Sequence, residues 1–332
     1  MKGITVAGSI VCDKLKVIER YPKKGMLANI LQLGQSMGGI VPNTGISLKR
    51  FDPALPVYAM GCIGKDQDGS FAMDFMEKNG LDVSDIIIKE ETATSFTDVI
   101  TEEGGERTFF HFSGANAEYG LDELFANEIK TELFHIGYLL MMAKLDEEDE
   151  EFGTKLARGL KMIREKGHRT SIDVVSREGA DFAKAVLAAL PYTDYLIINE
   201  IEAGNAVGIP ARDEEGALIE ENMEKILRAL FAKGLHELGC IHCPEGGFAM
   251  DKNGHFEKRK SLKLPEGYIK GTVGAGDAFC AGMLYGIEKG WELTRSLDFA
   301  NAAAACCLSE VGATEGMRSE ALTWKLFEKL SD

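Results

Sequence analysis

Apolar residues form short continuous runs along the chain, and stretches with helical spacing separate them. The runs at residues 3–11, 133–141, 171–175 and 195–199 have the length and composition of buried strands. Repeated strand–helix units of this kind predict a mostly parallel sheet that helices cover on both faces. The pattern therefore indicates the α/β fold class.

Two other segments interrupt this alternation. Residues 94–101 and 107–112 alternate between polar and apolar positions and are joined by a polar stretch with two glycines. This pattern predicts a β-hairpin. Residues 15–33 contain Pro22 and Gly25 and lack helical periodicity.

Helical spacing is clearest near the C-terminus. Residues 278–289 predict a helix that ends at Gly290, and residues 293–308 predict an alanine-rich helix. Six consecutive acidic residues, 146–151, predict the start of another helix, because the helix dipole favours negative charge there.

Directly before the helix at 278–289 lies a glycine-rich sequence, Gly-Thr-Val-Gly-Ala-Gly-Asp, which runs from Gly271 to Asp277. Glycine costs about 1 kcal/mol in a helix interior, so these glycines indicate a turn. Unpaired N–H groups at a helix start bind anions such as phosphate, and Asp277 could accept a proton from an attacking hydroxyl. Together they suggest phosphoryl transfer, although a tight turn before an acidic first helical turn would look the same. The sequence has no G-x-x-x-x-G-K-[ST] motif, which excludes a P-loop enzyme.

Composition narrows the choice of partners and compartment. The net charge of −16 argues against nucleic acid or an anionic membrane as a partner. No apolar run reaches the length of a membrane span, and the first residues lack a signal-peptide pattern. The seven scattered cysteines do not form a disulfide framework, so we expect a cytoplasmic protein.

The glycine-rich turn resembles the C-terminal signature D-T-x-G-A-G-D of the PfkB, or ribokinase-like, carbohydrate kinases. Asp13 and the stretch with Gly38, Gly39 and Asn43 resemble the N-terminal signature of the same family. The resemblance extends over residues 3–316. It implies one three-layer α/β/α domain over residues 1–332, with a mostly parallel central sheet and a small β-sheet lid from about 14–35 and 94–113.

The resemblance also implies functional residues. Asp277 is the expected general base, and the turn from Gly274 through Ala275 and Gly276 to Asp277 is the expected anion hole. Asn199 and Glu202 match the N-x-x-E motif that supports Mg²⁺. The expected sugar contacts are Asp13, Gly38, Gly39, Asn43, Arg107 and His111, with Asn116 just after the hairpin; the expected nucleotide contacts are Asn199, Thr272, Glu245, Gly247, Asn301 and Gly312.

The expected reaction transfers the γ-phosphoryl group of ATP, with Mg²⁺, to a sugar hydroxyl. Gly271 replaces the usual Asp of the signature, which makes activation by K⁺ doubtful. Residues 173–177 resemble a D-x-N-x-R stretch only loosely. Lids in this family sometimes pair into homodimers.

Two other functions remain open. A nucleoside kinase of the same fold would use aromatic residues near the lid: Phe109, Phe110, Phe112 and Tyr119 are available. A non-catalytic sugar-binding or regulatory protein could keep the fold, although the intact Asp277, Asn199 and Glu202 weigh against it. The sequence leaves open which acceptor is used, whether it is already phosphorylated, and the oligomeric state.

Overall fold

Strands and helices alternate along the chain, and the computed structural model describes residues 2–102, 107–175 and 181–331. The strands are β1 (Ile4–Gly8), β2 (Val11–Ile18), β3 (Ile30–Gly38), β4 (Val57–Gly64), β5 (Asp82–Lys89), β6 (Phe96–Glu102), β7 (Arg107–Phe112), β8 (Leu133–Leu139), β9 (Glu148–Asp149), β10 (Gly153–Thr154), β11 (Arg169–Val174), β12 (Tyr195–Asn199), β13 (Leu238–Cys243), β14 (Gly246–Asp251) and β15 (Phe256–Lys260). The helices are α1 (Ile40–Phe51), α2 (Gln67–Lys78), α3 (Leu121–Leu124), α4 (Ala143–Asp146), α5 (Lys155–Glu165), α6 (Asp181–Ala189), α7 (Glu200–Val207), α8 (Glu220–Ala232), α9 (Ala275–Lys289), α10 (Leu293–Leu308) and α11 (Glu320–Leu330).

A nine-stranded sheet forms the centre of the molecule, in the order β15-β14-β13-β12-β11-β8-β1-β4-β5. The seven strands from β13 to β5 are parallel, and β14 and β15 extend the sheet antiparallel at one edge. The predicted mostly parallel sheet is confirmed.

Both faces of this sheet are covered by helices. On β1, Ile4 and Val6 join one buried cluster, which includes apolar residues of α1, α2, α9, α10 and α11. Ala7 joins the cluster on the opposite face, with residues of α5, α6, α7 and α8. Because side chains alternate along a strand, burial on both faces explains why the strands are almost continuously apolar in sequence.

A second, four-stranded sheet in the order β3-β2-β6-β7 is built from two excursions of the chain. One leaves after β1 and returns into α1, and the other follows β5. The buried side chain of Asn116 links them: its amide nitrogen donates to the Ile10 carbonyl oxygen (3.0 Å), and its oxygen accepts from the Ile10 N–H (3.1 Å). The small sheet is therefore anchored to the end of β1, beside the carboxyl ends of the parallel strands.

The predicted strand at residues 3–11 is wrong as a single element. β1 ends at Gly8, which has φ 127°, and β2 begins at Val11 in the other sheet. Ser9 and Ile10 are completely buried, so the apolar pattern shows no break where the chain changes sheets. Asp13 consequently lies inside β2 rather than beyond the end of a central strand.

The acidic run at 146–151 does not begin a helix. Asp146 ends the short α4 and accepts hydrogen bonds from the N–H groups of Leu140 and Met142 (both 2.9 Å). The next helix, α5, begins after Thr154, whose hydroxyl accepts from the Ala157 N–H at 3.1 Å. Asp146 therefore binds loop groups, and other residues of the run pair with Lys155 and Arg158 of α5 and Lys184 of α6.

Other local predictions are confirmed. α9 ends before Gly290, which adopts the left-handed conformation, and α10 spans the predicted residues. β6 and β7 pair antiparallel, while the connection at 103–106 lies outside the described residues. Residues 176 and 177 of the D-x-N-x-R-like stretch also lie outside them.

All seven cysteines lie in the described ranges, and each is a free thiol. Within those ranges, no helix has both the length and the apolar character that a bilayer crossing requires.

Candidate active site

The glycine-rich turn places Asp277 in the first turn of α9. Gly274 precedes the helix with φ 80°, and a Cβ there would lie only 2.4 Å from the Cβ of Ala313, so this position requires glycine. The first helical hydrogen bond runs from Ala278 N–H to Gly274 C=O (2.8 Å). The N–H groups of Gly276 and Asp277 precede it and have no carbonyl partner within the helix, while Ala275 N–H makes only a long contact (3.4 Å) with Thr272 C=O. This turn has the donor arrangement that an anion hole needs.

The carboxylate of Asp277 is buried, with 6% of the residue exposed. Its Oδ2 atom accepts hydrogen bonds from the Asn43 side-chain amide (2.8 Å) and the Tyr138 hydroxyl (3.0 Å). Burial raises the pKa of Asp277 to about 6, and the two hydrogen bonds act in the opposite direction. Asp277 is thus ionised at neutral pH and remains basic enough to take up a proton.

A second buried carboxylate, Asp173 on β11, is close enough to Asp277 for their charges to interact. Its Oδ1 atom accepts from the backbone N–H of Tyr138 (2.8 Å). Burial raises the pKa of Asp173 well above its ordinary value, and the negative charges of Asp277 and Glu202 raise it further. Three carboxylates therefore share one region, where a hard cation such as Mg²⁺ would relieve their repulsion.

Asp173 also borders a buried cluster with His135 and Cys280. The Nε2 atom of His135 lies 3.7 Å from the Cys280 sulfur and 3.9 Å from the Asp173 Oδ2. The other ring nitrogen, Nδ1, is 3.0 Å from the Ser171 hydroxyl. Burial lowers the pKa of His135 to about 3, so the ring is neutral.

On the small sheet, Asp13, Thr97 and His111 are register partners and share one face. The Thr97 hydroxyl lies 3.0 Å from His111 Nδ1 and also hydrogen-bonds Asp13. Burial raises the pKa of Asp13 to about 6. A Cβ at Gly38 would be 2.7 Å from Asp13 Oδ2, so glycine leaves room for this carboxylate.

Asn43 connects this face of the small sheet to Asp277. Gly39, with φ 93°, precedes α1, and a Cβ there would lie 2.4 Å from the Ser9 carbonyl oxygen. This close approach sets the start of α1 and hence the position of Asn43. The Asn43 nitrogen binds Asp277, and its buried oxygen has no hydrogen-bond partner among the described residues. A ligand hydroxyl would satisfy that oxygen.

The structure does not bring Arg107 to this group. Arg107 pairs with Thr101, which in turn pairs with Val17. This row lies on the same face as Asp13 but four residues along each strand from it. At about 3.3 Å per residue, this is about 13 Å away. Asn116 lies nearer but uses its amide to hold Ile10.

The predicted metal motif forms a capping box at the start of α7. The Asn199 side-chain oxygen accepts from the Glu202 N–H (2.8 Å), and Glu202 Oε2 accepts from the Asn199 N–H (3.0 Å). Both side chains therefore have a structural role, because they cap the first turn of this helix. Asn199 is also the register partner of His242 on β13.

The predicted nucleotide contacts surround the β13–β14 turn and the loop after α10. Glu245 forms a bidentate pair with Arg212 (both distances 2.9 Å), which also binds Glu200, and its pKa falls to about 2. The Asn301 amide donates to the carbonyls of Arg259 and Lys260 on β15 (3.4 and 3.3 Å). Of the remaining predicted contacts, Thr272 is exposed, Gly247 packs against Phe279 and Leu297, and Gly312 packs against Glu315.

Several residues of the site were not predicted as functional from sequence: Tyr138, His135, Thr97 and His242. Tyr138 could have been suspected because it stands near the carboxyl end of a central strand, where ligands gather in such sheets. His242 lies beside the turn before α9, with its Cε1 atom 3.2 Å from the Cβ position of Gly276. Burial lowers the pKa of His242 to about 4.

A sequence model described as the pfkB family carbohydrate kinases matches residues 1–320. The chain belongs to this family. Ribokinase from Schizosaccharomyces pombe is 25% identical over 327 residues, covering 96% of each chain. The structure of Arabidopsis thaliana ribokinase complexed with ribose and ATP has a TM-score of 0.80 at 19% identity and covers 98% of this chain and 99% of its own.

Nucleoside kinases share the same fold. The Methanocaldococcus jannaschii nucleoside kinase, an archaeal member of the ribokinase family, has a TM-score of 0.74 at 19% identity and covers 99% of both chains. Family membership confirms the predicted fold and enzyme class: the pfkB kinase is an ATP-binding phosphotransferase with an alcohol group as acceptor. Curated relatives of this chain include proteins named ribokinase and nucleoside kinase.

Proposed function

We propose that this kinase transfers the γ-phosphoryl group of ATP to a hydroxyl of a small carbohydrate. The observation that carries the proposal is the position of Asp277, a buried carboxylate at the start of α9, beside unpaired N–H groups on one side and Asn43 on the other. Asp277 takes the proton of the acceptor hydroxyl as its oxygen bonds to the γ-phosphorus. The bond to the bridging oxygen breaks, ADP leaves, and a phosphate ester forms.

On the acceptor side, Asp13 and Asn43 bind sugar hydroxyls, and His111 supports Asp13 through Thr97. Gly38 and Gly39 let the backbone approach the sugar closely. Arg107 lies too far out for a small monosaccharide and would contact only a longer acceptor.

On the nucleotide side, the phosphates lie over the turn formed by Gly274, Ala275 and Gly276. Mg²⁺ would be held near Asn199 and Glu202, where it would neutralise charge on the phosphates. The negative charges of Asp277 and Glu202 raise the pKa of the buried Asp173, so this region carries negative charge that a nearby cation would balance. Thr272, Glu245, Gly247, Asn301 and Gly312 form the surrounding nucleotide site.

The test is ATP consumption with Mg²⁺ against sugars, sugar acids, sugar phosphates and nucleosides, for the wild type and Asp277→Asn. We expect turnover with a carbohydrate and a loss of about 10²–10⁴-fold in the variant, the range for a general base. Asp74→Asn, an exposed substitution on α2, is the matched control and should keep full activity. Turnover that survives in Asp277→Asn would contradict the proposed base.

A nucleoside acceptor is the second candidate, and Phe109 favours it. Phe109 is 57% exposed and lies in the row of the small sheet next to Asp13, on the same face. An aromatic ring at that position could stack on a nucleobase. Faster turnover with nucleosides than with any sugar, lost in Phe109→Ala, would establish this alternative. No turnover and a sugar-induced thermal shift would indicate a binding protein.

We also propose that the small sheet mediates a homodimer. β3 and β7 are its edge strands, and both carry exposed apolar side chains, including Leu31, Leu33 and Phe110. Sedimentation should give a dimer for the wild type and a monomer for Leu31→Lys/Leu33→Lys. Leu322→Lys, on the exposed side of α11, should leave the dimer intact.

Activation by K⁺ is not expected. Gly271 offers no carboxylate, and a Cβ there would lie 2.6 Å from the Val311 carbonyl oxygen, so the backbone fills this space. Replacing K⁺ by tetramethylammonium should leave kcat unchanged, and a clear fall in kcat would contradict the expectation.

A further inference from the structure

Tyr138 adopts a backbone conformation that side chains with a Cβ rarely take. Its φ is 61°, and within the described ranges the only other non-glycine residue with positive φ is Leu140. The left-handed region is unfavourable for bulky residues and persists only where surrounding contacts hold it. A tyrosine in this conformation near the end of a central strand therefore calls for a functional explanation.

The conformation lets one residue bind two buried carboxylates. The backbone N–H of Tyr138 donates to Asp173 Oδ1 (2.8 Å), and its hydroxyl donates to Asp277 Oδ2 (3.0 Å). The preceding residue must be small, because a Cβ at Gly137 would lie 2.3 Å from Asp173 Oδ1. The Gly137–Tyr138 pair thus fits closely between β11 and the start of α9.

The hydrogen bonds distinguish the two oxygens of the Asp277 carboxylate. Both Asn43 and Tyr138 donate to Oδ2, from opposite elements, α1 and β8. With Oδ2 held in this way, Oδ1 is the oxygen left to meet an acceptor hydroxyl. The other titratable groups facing Asp277 are Asp173 on β11, Cys280 on α9 and Cys307 on α10.

We propose that Tyr138 is a positioning residue for phosphoryl transfer: its hydroxyl fixes Asp277 through Oδ2 so that Oδ1 faces the acceptor. This inference rests on the proposed role of Asp277 as the base. Tyr138 itself neither gains nor loses a proton in the reaction, because burial and the neighbouring carboxylates raise its own pKa well above the ordinary value. A purely structural role for the tyrosine would need its ring and backbone but not its hydroxyl.

Tyr138→Phe separates these possibilities because it removes only the hydroxyl. We expect kcat to fall about ten- to a hundredfold, as for the loss of one hydrogen bond to a charged group, while KM for ATP changes by less than about twofold. The acidic limb of the pH–rate profile should move to higher pH, because the lost hydrogen bond favoured the ionised form of Asp277. Tyr58→Phe, near the amino end of β4, is the matched control. It should change neither kcat, nor KM for ATP, nor the pH–rate profile.

A measurement without turnover keeps this test separate from the test of the proposed function. In protein labelled with ¹³C at the aspartate carboxyl carbon, the Asp277 signal is identified by its loss in Asp277→Asn. Its apparent pKa should rise by at least about half a unit in Tyr138→Phe. If the wild type turned over no acceptor, the proposed function would fail, yet this titration would still decide whether the hydroxyl holds the carboxylate. An unchanged titration, or an unchanged kcat in an active enzyme, would overturn the inference.

Discussion

The proposed acceptor side of the site is defined by Asp13, Asn43 and Asp277. Its buried polar groups lack part of the hydrogen bonding or solvation that they would have in water. Burial raises the pKa of both carboxyl groups to about 6, and the buried oxygen of Asn43 has no partner in the described part of the chain. Leaving such groups unsatisfied costs folding free energy. A ligand with several hydroxyl groups would recover it.

The nucleotide side, defined by Asn199, Glu245 and Asn301, differs in this respect. Asn199 is part of a capping box, Glu245 is paired with Arg212, and Asn301 binds the backbone of β15. These side chains already stabilise the protein without a ligand. The groups available to phosphate on this side are backbone N–H groups at the start of α9.

Under the proposed function, this difference implies two modes of recognition. Backbone N–H groups at the start of α9 would bind the charge of a phosphate and depend on glycines that keep the turn open. Side chains, which substitution can change one at a time, would bind the acceptor. We therefore expect acceptor-side substitutions to change activity more than stability, and nucleotide-side substitutions to do the reverse.

The largest effect is expected for Asn43→Ala. The variant loses the hydrogen bond to Asp277 and the oxygen offered to the acceptor, each worth about 1.5–3 kcal/mol, so kcat/KM should fall about 10²–10⁴-fold. The free energy of unfolding should change by less than about 1 kcal/mol, because an unpaired buried oxygen is removed as well. Steady-state kinetics and urea unfolding measure the two effects, with the exposed Asn253→Ala as control. A loss of unfolding free energy as large as the loss in kcat/KM would contradict the expected difference between the two sides of the site.

Asp277→Asn should stabilise the ligand-free protein at neutral pH. A carboxyl group whose pKa is raised from 3.8 to about 6 in the folded state contributes stability below pH 3.8, and this contribution disappears as the pH rises through 6. The wild type therefore carries a penalty above pH 6 of up to about 3 kcal/mol, at about 1.4 kcal/mol per pKa unit. Urea unfolding at pH 7.5 should show the gain, and the gain should shrink towards pH 4. A less stable variant at pH 7.5 would show that the two hydrogen bonds outweigh burial.

Local geometry that depends on glycine can be predicted from sequence. The turn before α9 and the convergence of Gly38, Gly39 and Asn43 on Asp13 and Asp277 depend on glycines at fixed spacing, which sequence displays directly. The N-x-x-E motif is ambiguous, because the same two side chains that could support a metal also cap a helix. Sequence cannot separate these roles, since both require oxygen atoms at the same spacing.

Features that arise only from tertiary structure could not be predicted. The change of sheet at Gly8 is hidden because Ser9 and Ile10 remain buried. The role of Tyr138 depends on its positive φ and on two carboxylates that are distant in sequence. Arg107 shares a face with Asp13, yet the register of three strands places it two rows away.

Substitutions at Asn199 can distinguish its role as the N-cap of α7 from a role in binding Mg-ATP. Asn199→Ala removes the N-cap of α7 and should cost about 1 kcal/mol of stability, whereas Asn199→Ser keeps a capping oxygen and should cost only a few tenths. Both variants should bind Mg-ATP more weakly in calorimetry if the amide also contacts the ligand. Unchanged Mg-ATP affinity in both would restrict Asn199 to its structural role.

Glu245→Gln should have the smallest effect, and its pH dependence has the opposite sign to that of Asp277. The Arg212 pair lowers the pKa of Glu245 to about 2, so its contribution is present above pH 4.5 and is lost as the pH falls towards 2. Because 44% of the Glu245 side chain is exposed, solvent screening limits this contribution to less than about 1 kcal/mol. Urea unfolding at pH 7 and pH 3 should therefore show a small loss that narrows at the lower pH, with KM for ATP nearly unchanged. A large rise in KM would mean that Arg212 releases the carboxylate when nucleotide binds, and the nucleotide side would then recognise its ligand with side chains, as the acceptor side does.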